Sequence, residues 1–195
     1  MIKTGILGGT FNPPHLGHKV LLETAAKELK LKQTFVIPSG APPHKGKPHA
    51  AFADRLLMCE NLFRGNDNVS VLDIENTGRV NYTINTLREL KRQHPDRAFY
   101  LIIGTDMLFT FADWYKYTAI LKECTLVAVL RHGDMYTDAM EHSRILGSVK
   151  VLDVEIPSIS STDIRAKVKL GEDITPLVGD TNAAFIKEKG LFLDE

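Results

Sequence analysis

Short apolar runs recur along the chain, separated by stretches in which apolar residues return every three or four positions. The first pattern suits strands buried on both faces, and the second suits helices laid against them by one face. The runs predict strands at 2–7, 34–37, 69–74, 99–103, 126–130 and 149–154. The periodic stretches predict helices at 15–29, 52–63, 84–92, 117–123, 137–146, 162–170 and 181–189. Alternation of this kind predicts an α/β fold, a Rossmann-like doubly wound parallel sheet of about six strands. The last two helices have no strand after them, which predicts a small C-terminal helical cap. No repeat or flexible linker interrupts the chain. It is therefore expected to form a single domain, 1–195, with a core at 1–157 and a helical subdomain at 158–195.

Open parallel sheets bind ligands beyond the C-terminal ends of their strands. Four segments fall there, 8–18, 38–48, 75–83 and 104–115, and functional residues should gather on that edge. The first reads Gly8-Gly9-Thr10-Phe11-Asn12-Pro13-Pro14-His15-Leu16-Gly17-His18. The glycine pair lets backbone amides approach an anion closely. The two prolines then open a helix, whose positive N-terminal end and His15 and His18, three apart and on one face, face the same loop. This string lacks the glutamate between histidines of a zinc protease and the GxGxxG of a dinucleotide oxidoreductase.

The segment 38–48 holds four prolines and two glycines with His44, Lys45 and Lys47, a stiff loop that could present Lys45 to an anion or be an ordinary basic surface loop. Gly78 to Leu87 opens a helix whose free amides at Tyr82 to Asn85 could receive a carboxylate; the alternative is that Asn81 or Thr83 caps the helix. Gly104 and Asp106 end a buried strand, where a carboxylate can accept from ribose hydroxyls. The only tryptophan, Trp114, follows, either as a surface for a flat ring or as a packing residue. Ile159 to Arg165 starts another helix, with Ser160 and Asp163 spaced for a capping box and Ser161, Thr162 and Arg165 able to donate to phosphate.

Composition narrows the functions. With 24 basic and 24 acidic residues among 195 the chain has no broad field to attract a nucleic acid, so anions must be held by local cations. The apolar content is 44%, with no stretch long enough to span a bilayer and no room before residue 2 for a signal peptide, so no membrane or nucleic-acid partner is expected. Cys59 and Cys124 stand alone in apolar runs, which suggests reduced, buried thiols and a cytoplasmic location.

The string GGTFNPPHLGH resembles the signature of the nucleotidyltransferase superfamily, and the later segments together resemble bacterial nicotinate mononucleotide adenylyltransferases. The likeness runs nearly end to end, through the IP…PPHK loop, DRLLM at 54–58, NYTINTL, IGTDML with Trp114, SISSTDIR and the closing FIKEKGLF. It implies transfer of the adenylyl group of ATP to the 5′-phosphate of nicotinate mononucleotide, with pyrophosphate released. Catalytic roles would fall to His15, His18, Lys45 and Arg165. ATP would meet Gly8, Gly9, Thr10, Phe11, His18, Gly104, Asp106, Ser161, Thr162 and Arg165. The mononucleotide would meet Lys45, Tyr82, Thr83 and Trp114. Magnesium (Mg2+) would arrive with ATP, and no protein metal site is implied. Homo-oligomerisation stays open. Departures from the family's habit are Asn81 for serine, Thr105 for alanine, His132 for proline and Gly179-Asp180 where proline introduces the last helix. Rival readings are a relative acting on nicotinamide mononucleotide or phosphopantetheine, and a nucleotide-binding module without catalysis.

Overall fold

The computed structural model describes residues 1–41, 48–147 and 149–193. Its strands are β1 (Ile2–Gly9), β2 (Gln33–Pro38), β3 (Val69–Val71), β4 (Arg97–Gly104), β5 (Thr125–Arg131) and β6 (Val149–Ile156). Every pairing among them is parallel, and their order is β3-β2-β1-β4-β5-β6. The winding reverses between β1 and β4, which opens a crevice beyond their C-terminal ends. The helices are α1 (Leu16–Leu29), α2 (Phe52–Phe63), α3 (Thr83–Gln93), α4 (Thr105–Leu108), α5 (Tyr117–Glu123), α6 (Tyr136–Leu146), α7 (Ser161–Lys169), α8 (Thr175–Val178) and α9 (Asp180–Glu188).

Neighbouring strand residues serve opposite faces because side chains alternate along a strand. Ile6, Phe35, Ile37, Leu101, Ile103 and Ala128 pack on one side with Ile84, Leu87 and Leu90 of α3, Ile120 of α5 and Ala139 of α6. Leu7, Val36, Ile102 and Val129 pack on the other with Leu21, Leu22 and Ala25 of α1 and Cys59, Leu62 and Phe63 of α2. Burial on both faces explains why the strands read as unbroken apolar runs.

A third cluster lies off the sheet. Ile164, Ile174, Val178, Ile186 and Phe192 close over Ala50 and Met58, so the C-terminal helices pack on α2. Asn182 fixes the join, its Nδ2 donating to the Met58 carbonyl at 3.0 Å while its Oδ1 accepts from Asn61 at 3.3 Å. Gly179 passes from α8 into α9 with φ +81°, a conformation open to glycine and closed to proline, whose ring fixes a negative φ. That turn accounts for the Gly179-Asp180 departure.

The expected strand at 69–74 ends at Val71, because the Asn76 amide donates to the Asp73 carbonyl at 2.8 Å and turns the chain. The turn delivers Glu75 to the crevice. The segment expected as a loop at 104–115 contains α4 and a 3-10 turn, Phe111–Asp113. The C-terminal cap has three helices where two were expected.

Candidate active site

Beside the crevice lies a cavity of about 450 Å³, floored by Ile6, Leu101 and Ile103 and walled by Tyr82, Met107, Trp114 and Tyr115. Its polar rim comes from Gly8 and Gly9 at the end of β1, Thr10 just after it, Ser39 after β2, Glu75, Asn81, Thr83 and Thr86. Five of the expected site residues other than Trp114 therefore meet it at one cavity: Gly8, Gly9, Thr10, Tyr82 and Thr83. The half-buried Trp114 also packs on Phe111, with ring centroids 5.1 Å apart. It thus both lines the cavity and belongs to the packed wall. Tyr82 and Tyr115 pack beside it, tilted against each other with ring centroids 4.4 Å apart.

Neither Asn81 nor Thr83 caps α3: Tyr82 is the N-cap residue, and among the described residues no side-chain cap bond is made there. Asn81 Nδ2 instead donates to Thr86 Oγ1 at 2.9 Å, and Thr86 Oγ1 donates to Glu75 Oε1 at 2.6 Å. Burial pushes the Glu75 carboxyl above the usual range, against the bonds it accepts from Thr86 and the Gly40 amide. Asn81, the departure from serine, therefore anchors a carboxylate chain at the cavity rim.

The second group of expected residues collects on the other side of the glycine loop. His15 and His18 stack with centroids 3.7 Å apart, and the Phe11 ring meets His18 edge-on at 4.8 Å. Phe11 itself is buried, so it packs beneath the loop. The start of α7 docks on the same turn, with Ser161 Oγ donating to the Pro13 carbonyl at 2.8 Å and Arg165 Nη1 to the Asn12 carbonyl at 2.9 Å. Ser160 caps α7, its Oγ accepting from the Asp163 amide at 3.1 Å. Arg165 Nη2 lies 3.4 Å from Thr162 Oγ1. Lys45 lies outside the described residues.

The two histidines, alike in sequence, differ here. His15 is 3% exposed, and burial, helped by the nearby Arg131 charge, pushes its pKa down to about 3. It is therefore neutral at neutral pH. His18 Nδ1 accepts from the His15 amide at 3.2 Å, which puts the proton of the neutral ring on Nε2 and makes that nitrogen the donor. The unfolded chain protonates His15 near pH 6.5, while the folded chain does so only near 3, so stability falls as pH drops through that window. Between about pH 6.5 and about pH 4.5, urea unfolding should lose about 2 kcal/mol through His15 alone. His15→Gln should lack that loss, and identical pH slopes for the two proteins would refute it.

Gly104 and Asp106 lie across the switch point from Gly8. A Cβ on Gly104 would fall 2.5 Å from Asp106 Oδ1 and 2.9 Å from Arg131 Nε, so a side chain there would displace the ion pair, at 3.1 Å, that crosses over the strand end. Thr105, wholly buried, donates to the Asp134 carboxylate and accepts from the Arg131 amide at 3.1 Å. The hydroxyl missing from the family's usual alanine thus ties α4 to the turn after β5. Arg131, Glu75 and Arg55 are site-adjacent residues that the sequence reading did not select. Arg131 carried a signal, a charge closing an apolar strand on the ligand-binding edge. Among the described residues no group of three or more His, Cys, Asp or Glu could hold a metal ion.

The cytidylyltransferase-like family matches residues 6–167. The chain belongs to that family and, within it, to the nicotinate-nucleotide adenylyltransferases. A relative from Exiguobacterium sibiricum named "Probable nicotinate-nucleotide adenylyltransferase" is 36% identical, over 98% of this chain and 99% of its own. One of the same name from Dehalococcoides mccartyi is 37% identical, over 98% and 97%. Among solved structures, the Plasmodium falciparum nicotinic acid mononucleotide adenylyltransferase complexed with NaAD aligns with TM-score 0.82 and 18% identity, over 98% of each chain. At that identity the likeness supports the fold: a member of this family with its Rossmann-like sheet intact.

Proposed function

We propose that this chain transfers the adenylyl group of ATP to the 5′-phosphate of nicotinate mononucleotide, releasing pyrophosphate and forming deamido-NAD. The observation that carries this reading is the single cavity in which the Gly8–Thr10 backbone meets an aromatic wall of Tyr82, Trp114 and Tyr115. A phosphate and a flat heteroaromatic ring can be held there together. The relatives' names supply the same activity.

The chemistry needs no base. A phosphate monoester has its second pKa near 6, so the nucleophile is already mostly dianionic at neutral pH. One of its oxygens attacks the α-phosphorus, and the bond from that phosphorus to the oxygen it shares with the β-phosphate breaks, that oxygen leaving with pyrophosphate. The barrier is the meeting of two anions, so the protein's task is positioning and charge stabilisation. His18 donates to the α-phosphate as charge moves, and neutral His15 holds the His18 ring through stacking and its amide. The Gly8 and Gly9 amides and the start of α7, with Ser161, Thr162 and Arg165, face the phosphates, and Lys45 adds a cation from the 38–48 loop. Gly104 and Asp106 receive the adenosine. Magnesium would enter with ATP as part of the substrate and would offset phosphate charge there. Residues from 158 onward act as a helical subdomain closing the phosphate side, and the reaction belongs in the cytoplasm.

Incubating the protein with ATP, magnesium and each acceptor while following pyrophosphate tests this. Nicotinate mononucleotide should be turned over fastest, and phosphopantetheine not at all. Glu75 on the cavity rim gives the nicotinamide form a specific claim, because a carboxylate accepts from an amide and repels a carboxylate; faster turnover of that form would reassign the acceptor. Trp114→Ala should raise KM for the mononucleotide about tenfold, the worth of one lost ring stack. A rise in KM for ATP alone would move the ring to another surface.

A further inference from the structure

Arg55 is the bulkiest wholly buried side chain among the described residues, 1% exposed, on α2 behind the glycine loop. All three of its guanidinium nitrogens donate to main-chain carbonyls: Nη1 to Thr10 at 2.7 Å, Nε to Ala50 at 3.2 Å and Nη2 to Gly40 at 3.4 Å. The Ala50 amide in turn donates to Asn12 Oδ1 at 3.1 Å. One rigid fork thus joins the loop after β1, the loop after β2 and the entry to α2, and Phe52 lies against it at 5.4 Å.

No carboxylate pairs with this cation among the described residues. Burial accordingly lowers the Arg55 pKa. A buried charge satisfied by neutral carbonyls alone is costly, and natural cores avoid it. A neutral side chain could bridge loops without that cost. The retained charge fits a counter-ion brought by a ligand, and the loops held by the fork are those whose Gly8, Gly9, Thr10 and Ser39 line the cavity.

We propose that Arg55 is a positioning residue for bound phosphates: it pins the Thr10 and Gly40 loops from behind, and its buried charge is balanced when a polyphosphate fills the front of the glycine loop. The inference rests on the glycine loop being the phosphate site. Inorganic pyrophosphate is the probe, titrated by calorimetry into the full-length protein and into Arg55→Met and Arg55→Lys. Arg55→Met should bind at least tenfold more weakly. Arg55→Lys, which keeps the charge and loses the fork, should bind about fivefold more weakly. A purely structural arginine would lower the melting temperature while leaving the affinity of the folded protein alone, so affinity within twofold of the parent in either variant overturns the proposal. Where a variant does not fold, the parent decides: the Arg55 Nε–H resonance should shift and exchange more slowly on adding pyrophosphate, and an unmoved resonance overturns it. A parent that binds no pyrophosphate at all sinks the phosphate-site reading itself, a different outcome from unchanged binding in the variants.

Discussion

His18→Ala should lower kcat by about two orders of magnitude, with KM for ATP and for the mononucleotide changed only a fewfold. The size follows from the loss of one preorganised donor to charge that develops in the transition state, about 3 kcal/mol. The direction follows from geometry: the ring is fixed before substrate arrives, stacked on His15 at 3.7 Å, met by the edge of Phe11 and bonded at Nδ1 to the His15 amide. A donor held in this way needs no reorganisation when the α-phosphate becomes crowded with charge. An interaction made mainly in the transition state registers in kcat rather than KM. Initial rates of pyrophosphate release over both substrates measure this. A kcat within a fewfold of the parent would remove His18 from the reaction. His15→Gln tests the partner: it leaves the His18 donor in place while removing its stacking surface, so a smaller kcat loss than that of His18→Ala is expected.

How far the sequence discloses this site depends on what each residue needs to show itself. The glycine loop is legible because turn chemistry is local: two glycines, two prolines and two histidines have a meaning wherever the fold puts them. The sheet is legible because strands buried on both faces leave unbroken apolar runs, and α2 runs over Phe52–Phe63 as its periodicity indicates. Elements shorter than about two turns leave no period to read, so α4, α8 and the Phe111–Asp113 turn are not legible, and nothing in the apolar run 69–74 marks where β3 ends at Val71. Roles set by burial were hidden too. His15 and His18 look equivalent until the fold buries one of them. Arg55 falls on the same stripe of α2 as Met58, Cys59 and Leu62, at spacings of three, four and seven. A cation on an apolar stripe was the available signal, read as part of a family string and not as a buried charge. Glu75 could not be placed at all, since only the turn at Asp73–Asn76 carries it to the cavity.

Phe111→Ala should destabilise the protein by about 3–5 kcal/mol, the cost of emptying a fully enclosed aromatic site. Phe111 has no solvent exposure and packs with Trp114 and Tyr117 at 5.1 and 6.3 Å within the cluster beneath α3 and α5. Its own backbone contributes little, because a single 3-10 turn cannot hold itself in water. The side chain is therefore what seats the turn, and the turn is what seats Trp114, whose amide donates to the Phe111 carbonyl at 3.1 Å. A loss of that size is a large fraction of the 5–15 kcal/mol typical of a domain, and urea midpoints measure it directly. Phe111→Leu, which keeps most of the volume, should cost far less, and a Phe111→Ala cost below about 1 kcal/mol would show that the cluster closes without the ring. The same variant links packing to function: with its backing gone, Trp114 should leave the cavity wall, and KM for the mononucleotide should rise in Phe111→Ala as it does in Trp114→Ala. Combining the two substitutions should then raise KM little beyond either alone, because both remove the same stacking surface.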